Sequence, residues 1–254
     1  MKLTVLGCSG GIGSGRHTTC YGIDADTLLD TGTGLTALTL EQLARIDQVF
    51  LTHSHLDHVL GLPLLLDAVG EKRQAPVTVY ALPEVLAILD QHLFNWKLWP
   101  DFRDIPSPDQ PWLRFHPVPL GSTIRLGQRE FTTLPADHVV PACAWHIRGP
   151  GGSLVFSGDT TSYEAFILAL NRIPDLRHLI IETSFETALR DIAIASKHHW
   201  PDSLARDLAR LSAQPEVWIT HLKPGNEAAI MAELKQAVPN RKLQALSQQQ
   251  VIAW

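Results

Sequence analysis

The sequence predicts a mixed α/β protein with more than one sheet, folded as one domain over residues 1–254. Three observations predict it. At 254 residues the chain is long for one average domain and short for two. Hydrophobic residues make up 45% of it and charged residues 19%, a globular balance that excludes disordered, collagen-like and coiled-coil architectures. The order of apolar patterns is strands first, then strands and helices in alternation.

Residues 3–7 read as a buried strand ending in the Gly/Ser-rich turn CSGGIGSG. Its glycines are only superficially like a dinucleotide fingerprint. The residues after them read as strands, where that fingerprint needs a helix. Short strands follow near 20–24 and 27–30. Residues 35–45 carry apolar positions at helical spacing. Residues 46–52, IDQVFLT, form a strand with a continuous apolar face that ends at His53. Residues 58–69 read as a helix with Gly61 and Pro63 in its first turns, where proline is best tolerated. Residues 77–82 are a strand, and 83–95 a helix opened by Pro83. Residues 96–119 form a Trp/Pro-rich irregular connection whose aromatics argue for an ordered, packed loop. Strands follow near 123–126, 129–134, 142–148 and 153–157. A helix over 164–173, a strand over 178–185, a helix over 201–213, a strand over 217–222, a helix over 226–238 and a last strand over 251–254 complete the pattern.

Lysine plus arginine number 21 and aspartate plus glutamate 26, so the net charge is 21 − 26 = −5. That argues against a protein living mainly on a nucleic-acid backbone. Cys8, Cys20 and Cys143 make no disulfide framework and fit a reducing compartment. No apolar run reaches the roughly 18 residues a membrane span needs. The first residues lack the apolar length of a secretory signal. A cytoplasmic location with no membrane partner is the expectation.

The chain holds 12 histidines, and histidine is the commonest metal ligand. HSHLDH at 53–58 places four ligand-type side chains in six residues, between a buried strand and a helix. His53 and His55 point toward one ion, and Asp57 and His58 reach a second across the turn. Three more candidates follow apolar strands: His138 in PADHVVP, Asp159 in FSGDTT and His221 in WITHLKP. A carboxylate such as Asp159 can bridge two cations. His17, His92, His116, His146, His178 and His199 have no clear partner in the sequence and read as surface or packing residues.

The order HxHxDH, then His, then Asp, then His resembles the metallo-β-lactamase superfamily, from residue 3 to about 225. The resemblance implies a four-layer αββα sandwich forming one hydrolase domain with a di-metal site at the edge of its two sheets. It implies that His53, His55 and His138 hold one ion, that Asp57, His58 and His221 hold the other, and that Asp159 bridges. Two divalent ions per chain follow, zinc first, with manganese or iron as alternatives. The superfamily hydrolyses lactams, thioesters and phosphodiesters, so substrate is a separate question.

Aspartate at 159 points away from the lactamases that carry cysteine there. LFNWKLWPDF (93–102), IIETSF (180–185), KHHWPDSLARDL (197–208) and THLKPG (220–225) are similar to segments of the class II cyclic-nucleotide phosphodiesterases. Lys197 departs from the glycine usual before the functional histidine, which leaves His198 and His199 as alternatives. The tRNA 3′-processing endonucleases share HxHxDH but carry a basic arm. Residues 96–119 instead balance Lys97, Arg103 and Arg114 against Asp101, Asp104 and Asp109. The expected activity is hydrolysis of a 3′,5′-cyclic nucleotide to the 5′-monophosphate, with a metal-bridging hydroxide as nucleophile. The substrate partner is thus a small cyclic nucleotide, with homodimerisation as a base-rate expectation. In this reading Asp57 orients the nucleophile, His198 meets the phosphate or protonates the leaving oxygen, and Glu182 holds His198. Trp96, Trp99, Phe102 and Ser184 are candidate substrate contacts, although core packing is the competing role for each aromatic. A third possibility is a non-catalytic metal-binding sensor of the same fold.

Overall fold

The computed structural model describes all residues 1–254 as two seven-stranded sheets flanked by helices. In the first sheet β1 (Lys2–Gly7), β2 (Cys20–Ile23) and β3 (Thr27–Leu29) run antiparallel. After α1 (Leu40–Ala44), β4 (Gln48–Phe50) joins parallel to β3. Then α2 (Leu56–Val59) and α3 (Gly61–Val69) cross to β5 (Val77–Ala81). The chain continues through α4 (Pro83–His92) and a small hairpin, β6 (Pro106–Ser107) with β7 (Gln110–Pro111). It then enters β8 (Leu113–Pro117), parallel to β5 at the sheet edge.

The second sheet opens with an antiparallel meander of β9 (Thr123–Leu126), β10 (Arg129–Pro135), β11 (Cys143–Gly149) and β12 (Gly152–Phe156). It continues in parallel crossovers: α5 (Glu164–Leu170), β13 (Leu176–Glu182), α6 (Arg190–Ser196), α7 (Pro201–Ala209) and β14 (Glu216–Thr220). Last come α8 (Glu227–Ala237), β15 (Leu243–Ala245) and β16 (Val251–Ala253), the last strand returning to pair with β1. β12 and β14 are almost continuously buried, as strands covered on both faces are, whereas β9 alternates.

One core cluster joins the facing sides of both sheets. Phe50 of the first sheet stacks on Phe131 of the second at 4.0 Å and meets Trp145 edge-on at 5.0 Å. A second cluster lies between the second sheet and α5, α7 and α8. The sheets are also bonded directly where the first metal motif begins. Trp145 Nε1 donates to Leu51 O at 3.0 Å, and Cys143 N donates to Thr52 O at 3.0 Å. The loop carrying His53 therefore starts from a fixed point.

Several boundaries differ from the expectation. The helix over 35–45 is broken: a 3₁₀ turn covers Thr33–Ala37, and α1 restarts at Leu40. Thr39 causes the break by capping α1, its hydroxyl taking the Gln42 N–H while the Gln42 side chain takes the Thr39 N–H. The helix expected from residue 58 begins earlier, so Asp57 and His58 sit in its first turn, not across a loop. The 96–119 connection is not irregular throughout, since β6, β7 and β8 lie in it. α6 and β15 carry no clear apolar period and were not expected from the sequence. α4, α5 and α7 each end a few residues short of the expected helices.

Candidate metal centre

The strands β4, β12, β13 and β14 deliver their C-terminal ends to one edge of the fold, and the segment after β10 joins them. That edge is where open α/β sheets place ligands. His53 follows β4, Asp159 follows β12, Glu182 ends β13, His221 follows β14 and His138 follows β10. The close approach at this edge requires glycine. A Cβ on Gly10 would lie 2.4 Å from His221 O. Gly158 has a positive φ of 59°, and a Cβ there would lie 2.7 Å from Thr52. His221 and Asp30 hold left-handed backbone, φ 60° and 52°, a strain that surrounding structure must support.

The seven expected ligands converge. His53, His55, His138 and Asp159 form one group, and Asp57, His58 and His221 a second, with the ligand atoms of each group within 4.8 Å of one another. Asp159 lies between the groups: Oδ2 is 3.7 Å from His53 Nε2 and 3.4 Å from His221 Nε2, and Oδ1 is 3.4 Å from His58 Nε2. His138 Nε2 faces His55 Nδ1 at 3.2 Å, and His221 Nε2 faces Asp57 Oδ2 at 3.2 Å. The Nε2 atoms of His53 and His58 are buried with no hydrogen-bond partner. Orphaned buried imidazole nitrogens aimed at a shared carboxylate fit divalent cations, and nitrogen with oxygen donors suit zinc, manganese or iron.

The backs of these histidines are fixed. Asp30 is fully buried. Its Oδ1 accepts Thr52 N–H at 2.8 Å, and its Oδ2 accepts the Thr52 hydroxyl at 2.8 Å and bonds His58 Nδ1 at 2.7 Å. The Thr52 hydroxyl, having donated to Asp30, must accept from His53 Nδ1 at 3.0 Å. One carboxylate thereby leaves the Nε2 lone pair of both His53 and His58 free to ligate. His138 Nδ1 pairs with Lys197 O at 3.2 Å, and His221 Nδ1 with Ser184 Oγ at 2.9 Å. Burial pushes the pKa values of His53, His55 and His138 down, which keeps them neutral, as ligands must be. Burial opposes charge on His58 too, but the Asp159 and Asp30 carboxylates outweigh it and raise its pKa.

Glu182 is fully buried and its Oε1 lies 2.7 Å from His198 Nδ1. Burial lowers the His198 pKa, but the Glu182 and Asp159 carboxylates together outweigh it, so the net shift is upward. His198 is grouped with Asp159 and His221 and stacks on the His221 ring at 5.3 Å. His199 points away: its Nδ1 bonds Ser203 Oγ at 2.9 Å and its ring is fully buried. The pair diverges because residues 198–200 are not helical. Lys197 ends α6 in left-handed backbone, φ 53°, and α7 begins only at Pro201.

Three expected substrate contacts are corrected. Phe102 is 2% exposed and packs between Phe94 and Trp112, so it belongs to the core. Trp99 is half-buried and packs against the same cluster. Ser184 is fully buried, and its hydroxyl links Glu182, His198 and His221, so it orients site residues and meets no substrate. Trp96 is exposed. Asp30 is the residue that sequence reasoning missed. The available signal was an acidic residue directly after the apolar strand TLL.

The chain belongs to the β-lactamase superfamily: the family model for the beta-lactamase superfamily domain matches residues 26–238. With the two-sheet architecture this defines a metallo-β-lactamase fold, a fold that implies divalent metal binding. Over 222 residues the chain is 26% identical to a Yersinia pestis protein named probable 3′,5′-cyclic-nucleotide phosphodiesterase. The match covers 75% of this chain and 63% of that one, so the relative is considerably longer. The structure superposes on unliganded yeast PDE1 with a TM-score of 0.83 at 17% identity, covering 98% of both chains. It superposes on the short form of human tRNase Z with a TM-score of 0.70 at 18% identity, covering 100% of this chain and 99% of that one.

Proposed function

We propose that the protein is a metal-dependent phosphodiesterase that opens a 3′,5′-cyclic nucleotide to the nucleoside 5′-monophosphate. One observation carries the reading: His198, held by Glu182 at 2.7 Å, brings a ring nitrogen within 4.8 Å of the ligand atoms of Asp159 and His221. His53, His55 and His138 would hold one cation, Asp57, His58 and His221 the other, with Asp159 between them. When bound, such cations supply Lewis acidity toward phosphate oxygens and an activated water. The chain's own residues do the rest. Asp57 is the most exposed carboxylate of the set and orients the attacking group. His198 is presented as a donor to the phosphate or to the leaving 3′-oxygen, with Glu182 fixing its tautomer and Ser184 locking both. The cyclic-nucleotide name of the Yersinia pestis relative supports this substrate class. So does the charge-neutral 96–119 segment, which folds down as β6, β7 and β8 and gives no basic arm for a tRNA. Zinc is the proposed metal and the cytoplasm the proposed compartment.

A substrate panel on metal-analysed protein tests this. Cyclic AMP, cyclic GMP, a 2′,3′-cyclic nucleotide and a precursor tRNA are compared, with bis(p-nitrophenyl) phosphate as a generic diester. Turnover of the 3′,5′-cyclic nucleotides, lost in Asp57→Ala, is expected. Efficient cleavage of precursor tRNA with untouched cyclic nucleotides transfers the reading to the endonuclease alternative. Metal binding with no diester turnover at all leaves a sensor module.

A further inference from the structure

We propose that Phe185, with Lys223 beside it, forms a nucleobase-stacking subsite next to the metal centre. The proposal rests on the cyclic-nucleotide reading above and names the residue that grips the base. Phe185 follows Ser184 directly at the exit of β13. Its ring lies 5.7 Å from the His198 ring at 61°, the one carbocyclic ring packed on a site histidine. It is half-buried, so part of its surface remains open, unlike Phe102. Lys223 Nζ lies 5.6 Å from the ring centroid and donates to Gly10 O at 2.8 Å. The ammonium is thus held over the ring, on the glycine turn that packs against His221.

The chemistry follows from placement. A phosphate engaged by His198 leaves its sugar and base to extend over the neighbouring surface. Phe185 offers that surface the open part of its ring, and the Lys223 ammonium, which lies over the ring, adds positive charge beside it. Stacking of this kind tolerates every base, because each base has a π-face. Cyclic AMP and cyclic GMP are therefore bound alike, and binding falls when the base is absent. The aromatic contact expected from Trp99 or Phe102 is supplied from the opposite sheet.

The test measures binding and turnover on metal-loaded protein. Titration calorimetry compares 5′-AMP with inorganic phosphate, and kinetics compare cyclic AMP with the base-free ribose 3′,5′-cyclic phosphate. Phe185→Leu keeps an apolar side chain of similar volume and is expected to cut the 5′-AMP/phosphate affinity ratio about tenfold, about 1.4 kcal/mol. The same factor appears in KM for cyclic AMP with kcat little changed, and Phe185→Tyr restores both. If Phe185→Leu weakens phosphate and 5′-AMP equally, the ring only supports His198 and the subsite is refuted. An unchanged ratio refutes it too. Failure of the wild type to turn over any cyclic nucleotide sinks the proposed function separately, while the binding ratio still reports on Phe185.

Discussion

Removing the Asp30 carboxylate should disable a metal centre it never touches. Its two oxygens satisfy three donors: Thr52 N–H, the Thr52 hydroxyl and His58 Nδ1–H. In Asp30→Ala the Thr52 hydroxyl can turn and donate to His53 Nδ1 at 3.0 Å, which leaves two buried donors unpaired. At about 1–3 kcal/mol for each such donor, the variant loses about 2–6 kcal/mol of stability. That is a large part of a typical total of about 5–15 kcal/mol. The rotated hydroxyl also drives the His53 proton to Nε2, the atom needed for the metal, and His58 loses its tautomer lock. Loss of such a partner typically costs about 10–100-fold in metal affinity, and here two histidines share it. Chelator competition at 25 °C gives the affinity, and thermal melting with and without metal gives the stability. Asp30→Asn should be intermediate, since its amide keeps one acceptor oxygen for Thr52 N–H. A folded Asp30→Ala protein that binds both metals with wild-type affinity would refute the reasoning.

His198→Ala should lower kcat by about 10²–10⁴-fold with metal content intact, the effect shrinking for p-nitrophenyl diesters that need little leaving-group protonation. His199→Ala should instead lower the melting temperature and spare kcat, because its ring is fully buried against Ser203; the reverse pattern, read by steady-state kinetics and melting, assigns the dyad wrongly. Asp159→Ala should lose at least one metal by elemental analysis, since its oxygens lie between both ligand groups. His146 lies outside the centre, bonded through Nε2 to Ser153 at 2.8 Å, with Asp175, Arg148 and Glu130 around it. Burial pushes its pKa below the ordinary 6.5, so the unfolded chain holds the extra proton and stability falls as pH drops below about 6.5. Denaturant melts of His146→Gln across pH 5–8 should show a shallower slope than wild type.

The side chains that gather at the candidate metal centre were readable from the sequence because their signal is local. HSHLDH packs four donors into six residues, and His138, Asp159 and His221 each follow an apolar strand, whose end is where a buried chain regains freedom to present a polar group. The two-sheet α/β class was readable for a similar reason, since strand and helix periods survive without tertiary context. β8 was not: its sequence LRFHP alternates, but Pro111, Pro117 and Pro119 around it read as a loop, and the strand lies mostly exposed at a sheet edge. Only the tertiary structure set the His198 ring against Glu182 and the His199 ring against Ser203, because Lys197 turns left-handed and no helical period governs the next three residues. Tertiary packing likewise drew Phe102 into the core and Ser184 behind the histidines. Asp30 could be linked to His58, 28 residues away, only once β3 and β4 were paired. Periodicity and motif report what a short stretch of backbone imposes on itself; which side chains meet across the fold depends on strand pairing and loop dihedrals that no short stretch encodes.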